Sequence, residues 1–130
     1  HVAAETIATG RSVVAGRVTG PVSRAPDGDL TSVEAGSILV LDDSFDAEFT
    51  GDASRLAGIV DAREGMTGYP AMVARELDLP MISGAAIASD VEDGDIVTLD
   101  AERGVVYTGD VDRSREWSRD DAAADRSDAA

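Results

Sequence analysis

The chain has 130 residues, enough for one domain with a single hydrophobic core. Its 26 acidic and 11 basic residues give a formal net charge of -15, and this disfavours nucleic acid as a partner because no basic patch can neutralise phosphates. The sequence has no cysteine and its only histidine is His1, which excludes disulfides, thiolate metal sites, histidine-based metal clusters and histidine-dependent triads.

The basic residues are all arginine, and lysine is absent. So large a net charge repels itself in dilute buffer, whereas in molar salt the Debye length falls to ~3 Å and screens the repulsion. We therefore expect adaptation to a salt-saturated cytoplasm, as in a halophilic archaeon. We expect a cytoplasmic protein with no membrane partner, because no apolar run approaches the ~18 residues of a membrane span and no secretory signal is visible. Because the chain begins with His1, we expect a piece of a longer polypeptide.

The first third of the chain predicts strands separated by a polar loop. Residues 1–10 are expected to connect the domain to a preceding segment. The β-branched, glycine-punctuated stretch 12–22 predicts one bent or bulged strand. A polar loop over 24–37 contains a turn at 26–29, and the apolar run 38–41 predicts a buried strand.

The middle of the chain predicts a helix behind an acidic segment. Residues 42–52 carry Phe45 and Phe49, which we expect to anchor this segment to the core. A single helical turn is expected at 53–56, followed by a strand at 58–61.

A longer helix is expected after residue 66. Thr67 is its predicted N-cap, and Pro70 lies in the first turn, where a missing N–H is harmless. Pro80 ends the helix. The helix should span about two to three turns, and its supporting apolar positions are Met72, Val73, Leu77 and Leu79.

The last third predicts a strand at 81–83, a turn at 90–94 and a hairpin that joins strands at 95–99 and 104–107. Residues 112–130 consist of aspartate, arginine, serine and alanine with few other residues, and we expect an acidic, mostly disordered tail. A short helix around Trp117 is the alternative.

Two acidic clusters are candidates for cation binding. The pair Asp42–Asp43 more often caps a strand end in an acidic protein. The second cluster lacks the full ligand set and the terminal glutamate of a calcium loop, which favours a solvated turn; its members are Asp90, Glu92, Asp93 and Asp95. We therefore predict no metal site.

The segment 64–80 carries the most specific pattern in the chain. It reads Glu-Gly-Met-Thr-Gly-Tyr-Pro at 64–70, then Ala-Arg-Glu-Leu at 74–77 and a proline at 80. This resembles the signature of the phosphohistidine swivelling domain of phosphoenolpyruvate-utilising enzymes: two glycines, any residue, Thr-Ser-His, two small residues, then an apolar helix running into Ala-Arg-Glu-Leu and a proline. The resemblance spans roughly residues 11–109 and implies an α/β fold of the β/β/α swivelling type, with the domain at 11–111.

The chain departs from that signature where the chemistry resides. In active relatives the histidine at the helix start takes a phosphoryl group, and here that position holds Tyr69. A phenol is a poor acceptor without a base, so we predict no catalytic residue and expect the ring and hydroxyl of Tyr69 to serve a domain contact. A helix start attracts anions, so a possible anion or domain-contact site comprises Thr67, Gly68, Tyr69 and Arg75. The other departures are Glu64, Gly68 and Pro70.

A histidine-less swivelling domain is found at the C-terminus of some pyruvate kinases. The resemblance therefore implies a non-catalytic structural or regulatory domain with no cofactor of its own. Its parent would transfer phosphate from phosphoenolpyruvate to ADP in glycolysis, with Mg²⁺ and K⁺ bound in a barrel domain. The partners would be the catalytic domains of that polypeptide, assembled as a homotetramer.

Two other functions stay open from the sequence. One is a mobile phosphotransfer domain of a phosphoenolpyruvate synthase or dikinase, with Tyr69 as an unusual acceptor. The other is a free-standing module that binds an anion or metabolite at the helix start.

Overall fold

The structure is a computed structural model that describes residues 4–110, so the tail predicted at 112–130 lies outside the described residues. Within them the chain forms eight strands, one 3₁₀ turn and one α-helix. The strands are β1 Thr6–Thr9, β2 Arg11–Val14, β3 Arg17–Arg24, β4 Ile38–Leu41, β5 Gly58–Asp61, β6 Met81–Ser83, β7 Ile96–Asp100 and β8 Val105–Thr108. The 3₁₀ turn is Ala53–Arg55 and the helix α1 is Tyr69–Leu77.

The strands follow the order β1-β8-β7-β3-β4-β5-β6-β2. The four strands from β3 to β6 run parallel, and the others join them antiparallel. Strand β3 links the two halves, because Arg17–Pro21 pair with β7 and Val22–Arg24 pair with β4. This mixed sheet with its crossover helix confirms the α/β fold.

Both faces of β4, β5 and β6 are buried. Along β4, Leu39 and Leu41 pack with Ala71 and Ala74 of α1. Ile38 and Val40 point to the opposite side, into a cluster that includes the buried side chains of β7 and β8. Parallel strands covered on both faces read as continuous apolar runs, which is why 38–41 could be predicted as a strand.

Several predicted elements are confirmed: the strands at 38–41, 58–61 and 81–83, the turn at 53–55 and the hairpin of β7 and β8. The acidic segment 42–52 is anchored as expected, since Phe45 is buried and Phe49 packs against the same core.

The prediction of one bent strand over 12–22 was wrong. The chain divides at Gly16, whose φ of +142° is open to glycine alone and whose Cα lies against Pro80. Strand β2 pairs with β6 on one side of the sheet, while β3 runs through its centre. Residues 6–9, expected within a connector, form β1 and pair with β8 at an edge of the sheet.

The helix differs from its prediction in its N-cap. Its N-cap is Gly68, which makes no side-chain capping bond, so the assignment of Thr67 was wrong; Pro70 does lie in the first turn. The helix buries Ala71 and Ala74 and leaves Met72 54% exposed. Small residues let the helix approach the sheet closely, so its larger apolar side chains turn outward.

Candidate functional site

The carboxyl ends of the parallel strands meet at one edge of the sheet, which is where open α/β sheets bind ligands. At this edge β5 ends at Asp61, β6 ends at Ser83, and α1 begins above them after the loop 62–68. Two clefts open there and share Glu64 and Gly65.

Arg63 organises the loop that leads to the helix. Its backbone N–H donates to Asp61 Oδ1 at 2.9 Å, and its Nη2 lies 3.3 Å from Asp61 Oδ2. Its Nη1 donates to the carbonyl oxygen of Phe45 at 2.8 Å, and the guanidinium lies 5.6 Å from the Phe45 ring centroid. Arg63 thus ties the end of β5 to the acidic segment 42–52. The sequence analysis missed this residue, and no motif marks it.

Tyr69 also reaches the acidic segment. Its hydroxyl oxygen accepts a hydrogen bond from the backbone N–H of Phe49 at 3.2 Å. The Tyr69 and Phe49 rings are tilted by 58° with centroids 5.3 Å apart, a favourable aromatic geometry. The first residue of the helix is therefore fixed to the segment 42–52 through both its ring and its hydroxyl.

The structure brings together only part of the predicted site. Thr67, Gly68 and Tyr69 are consecutive at the helix start, whereas Arg75 lies in the last turn, roughly 9 Å further along the axis. Among the residues described, the guanidinium of Arg75 makes no ion pair. Arg75 and the helix start are thus separate features.

The smaller cleft adjoins the helix start. Its volume is about 110 Å³, and its lining includes Asp61, Arg63, Glu64, Gly65, Gly68 and Pro70. The N-terminal amides favour an anion here, whereas the carboxylate of Glu64 opposes one. Since Asp61 and Arg63 already bind each other, this cleft offers an anion little beyond backbone amides.

The larger cleft has a volume of about 390 Å³ and shares Glu64 and Gly65 with the smaller one. It is lined by Gly10, Arg11, Glu64, Gly65, Ser83 and Gly84. Strand pairing assembles it from residues far apart in the chain, since Arg11 in β2 pairs with Ser83 in β6. No local pattern in the sequence could have revealed it.

Three carboxylates of the candidate cation clusters make internal hydrogen bonds. Asp42 Oδ1 accepts from the backbone N–H and the hydroxyl of Ser44 at 2.9 and 2.7 Å, and these bonds hold the pKa of Asp42 below its ordinary value. Asp93 receives hydrogen bonds from Arg24, and Asp95 accepts from the backbone N–H of Glu92. Across residues 4–110 the structure contains no cluster of three or more potential metal ligands.

None of the helical segments in the described part of the chain is both long and apolar enough to cross a membrane.

Comparison with known proteins agrees with the α/β fold described above. Residues 33–104 match the family described as the PEP-utilising enzyme, mobile domain. The chain therefore belongs to the family of mobile domains of phosphoenolpyruvate-utilising enzymes.

The relatives fall into two enzyme classes. The chain is 37% identical over 89 residues to a probable phosphoenolpyruvate synthase of Archaeoglobus fulgidus, covering 68% of this chain and 12% of that protein. It is 33% identical over 104 residues to pyruvate kinase 2 of Synechocystis sp., covering 79% of this chain and 17% of the kinase. The chain thus spans less than a fifth of either relative, and both classes remain candidates for its parent.

A solved structure shares the fold. The chain superposes on a chain of Thermococcus kodakaraensis aconitase X with a TM-score of 0.55 and 23% identity, covering 79% of this chain and 98% of that one. At this identity the likeness concerns the fold alone.

Proposed function

We propose that this chain is a non-catalytic, structural or regulatory C-terminal domain of a pyruvate kinase, whose parent enzyme transfers phosphate from phosphoenolpyruvate to ADP in glycolysis. One observation carries the proposal: Tyr69 occupies the first position of the helix, where the resemblance places a phosphoryl-carrying histidine, and its hydroxyl and ring are bound to Phe49.

The chemistry of the helix start supports this choice. A phosphoryl acceptor needs an accessible nucleophile and a base for its proton. The Tyr69 oxygen already accepts the Phe49 N–H, and the sequence has no histidine beyond His1 to serve as the base. The nearby carboxylate of Glu64 also repels an incoming phosphate. A synthase needs the domain to carry phosphate, whereas a pyruvate kinase can use it without that chemistry.

The exposed side of α1 is the proposed contact with the catalytic domains of the parent. Met72 and Arg75 lie three residues apart on this side and are both exposed. We further propose that the parent is a cytoplasmic homotetramer adapted to high salt. In this proposal Mg²⁺ and K⁺ bind in the catalytic barrel, and this chain holds no cofactor.

The experiment is an activity assay of the parent polypeptide in molar KCl, with this segment present and deleted. We expect the parent to convert phosphoenolpyruvate and ADP to pyruvate and ATP. The deleted form should keep this activity, because the reacting groups lie in the rest of the polypeptide. Loss of turnover in a deleted enzyme whose remaining body is still folded would show that the domain takes part in the catalytic cycle.

The second candidate is a mobile phosphotransfer domain of a synthase, which the 37% identity to the Archaeoglobus protein favours. Its test is incubation of the parent with labelled phosphoenolpyruvate, beside a Tyr69→Phe variant. Acid-stable label that Tyr69→Phe abolishes, together with loss of turnover, would establish this candidate. Turnover retained by Tyr69→Phe would support the pyruvate kinase domain.

A further inference from the structure

Three polar residues lie in a row on neighbouring strands at the edge where β5 and β6 end. Ser83 is paired in register with Asp61 of β5 on one side and with Arg11 of β2 on the other. Residues directly opposite one another on neighbouring strands project to the same face of a sheet. That face carries α1, because Met81, two residues before Ser83, packs in the cluster that contains Ala71 and Ala74.

Ser83 sits at the centre of this row without an internal partner. The residue is only 2% exposed, and its hydroxyl makes no hydrogen bond to any residue in the described range 4–110. The carboxylate of the neighbouring Asp61 is not readily available as an acceptor for the Ser83 hydroxyl, since both of its oxygens are bound by Arg63. The Ser83 oxygen retains access to solvent at the wall of the larger cleft, which Ser83 lines. Its hydroxyl can therefore hydrogen-bond a group that enters that cleft.

Arg11 supplies a positive charge to the same cleft. It is exposed, and within residues 4–110 its guanidinium makes no ion pair or hydrogen bond. A guanidinium binds the oxygens of a carboxylate or phosphate through two parallel bonds. Glu64 also lines this cleft; its side chain packs beside Gly84, and its carboxylate can accept hydrogen bonds from a hydroxylated ligand.

We propose that the Arg11–Ser83 cleft binds a small organic anion that carries a carboxylate or phosphate group and at least one hydroxyl group. Arg11 holds the anionic group, while Ser83 and Glu64 hydrogen-bond the hydroxyl groups. Glu64 repels a bare inorganic anion, so the hydroxyl groups are needed for tight binding. The described lining of this cleft differs from that of the cleft at the helix start, and its binding does not depend on which enzyme class contains the chain.

The test is an NMR titration of the ¹⁵N-labelled 130-residue chain in molar KCl at fixed ionic strength. The probes are glycerol 3-phosphate, glycerate and inorganic phosphate; the first two distinguish a phosphate from a carboxylate as the recognised group. We expect at least one hydroxylated anion to give saturable shifts at the amides of Gly10, Gly65, Ser83 and Gly84, with inorganic phosphate binding more weakly. The absence of saturable shifts with every probe would overturn the proposal.

Variants assign the binding to this cleft. Arg11→Gln should weaken binding at least about tenfold, because a charge-assisted pair is lost. Ser83→Ala should weaken the binding of the hydroxylated probes severalfold, in a variant whose amide spectrum shows a folded chain. Arg55→Gln is the matched control, since it removes another exposed arginine, and it should leave binding unchanged. An equal loss in Arg11→Gln and Arg55→Gln, or shifts confined to residues 67–69, would contradict the assignment.

Discussion

Replacing Tyr69 with phenylalanine tests whether its hydroxyl fastens the acidic segment 42–52 to the helix start. The substitution keeps the ring contact with Phe49 and removes only the oxygen that accepts the Phe49 N–H. A neutral hydrogen bond contributes about 1 kcal/mol net to stability. The 3.2 Å distance is at the long end of the normal range, and both residues are partly solvated, so we expect a loss of about 0.5–1 kcal/mol.

The ring should contribute more than the hydroxyl. Tyr69→Ala also removes the contact with the Phe49 ring and half-buried apolar area, and we expect a total loss of about 2 kcal/mol. The free energy of unfolding should be measured by urea denaturation in molar KCl, with tyrosine fluorescence and circular dichroism as two probes of a single transition.

Tyr107 provides the matched control. It is also partly buried, but its hydroxyl makes no hydrogen bond to any residue in the described part of the chain. Tyr107→Phe should therefore leave the free energy of unfolding nearly unchanged. Equal effects of Tyr69→Phe and Tyr107→Phe would refute the reasoning, because the bond to Phe49 would then contribute nothing.

Three further predictions concern the whole domain. Gly104→Ala should lower the free energy of unfolding by at least about 2 kcal/mol more than Gly109→Ala. The two glycines share nearly the same φ, +72° and +70°, but only at Gly104 would an added Cβ collide with the carbonyl of Gly10. Urea titrations of the two variants decide this. The melting temperature should rise from dilute buffer to molar KCl as the net charge of -15 is screened, and a salt-independent value would contradict this. Hydrogen bonds from serine hydroxyls lower the pKa values of Asp42 and Asp52 in the folded state. The two carboxylates therefore stabilise the fold above their unfolded-state pKa, and this stabilisation is lost as the pH falls through their folded-state pKa. Stability should thus decline below about pH 4, and less so in Asp52→Asn.

The strands that the sequence could predict are those marked by a local feature. The run 38–41 is buried on both faces, and β7 and β8 are joined by a short hairpin with a glycine at its end. The division at Gly16 could not be predicted, because it depends on which distant strand each half pairs with. The same is true of β1, whose partner lies about a hundred residues later.

The apolar positions that predicted α1 coincide only in part with the residues that are buried. Of Met72, Val73, Leu77 and Leu79, Leu79 is buried in the core whereas Met72 and Leu77 are exposed. The helix itself packs through Ala71 and Ala74. Alanine contributes little to an apolar pattern, yet it permits the closest approach of a helix to a sheet. The same limit applies to the larger cleft, whose Arg11 and Ser83 become neighbours only through the pairing of β2 with β6.

The acidic segment 42–52 is bound to the helix start through hydrogen bonds and aromatic contacts. Two side chains near the helix start bind complementary backbone groups of that segment: Tyr69 accepts the N–H of Phe49, and Arg63 donates to the carbonyl of Phe45. The rings of Phe45 and Phe49 lie 5.8 Å apart and continue the contact to Tyr69. A phosphoryl carrier must leave its first helical residue open to a partner active site, whereas here that residue is bonded and packed within the domain. Tyr69, at the position where the sequence resemblance implies a phosphohistidine, is thus used for internal packing, and this supports the proposal of a structural or regulatory role.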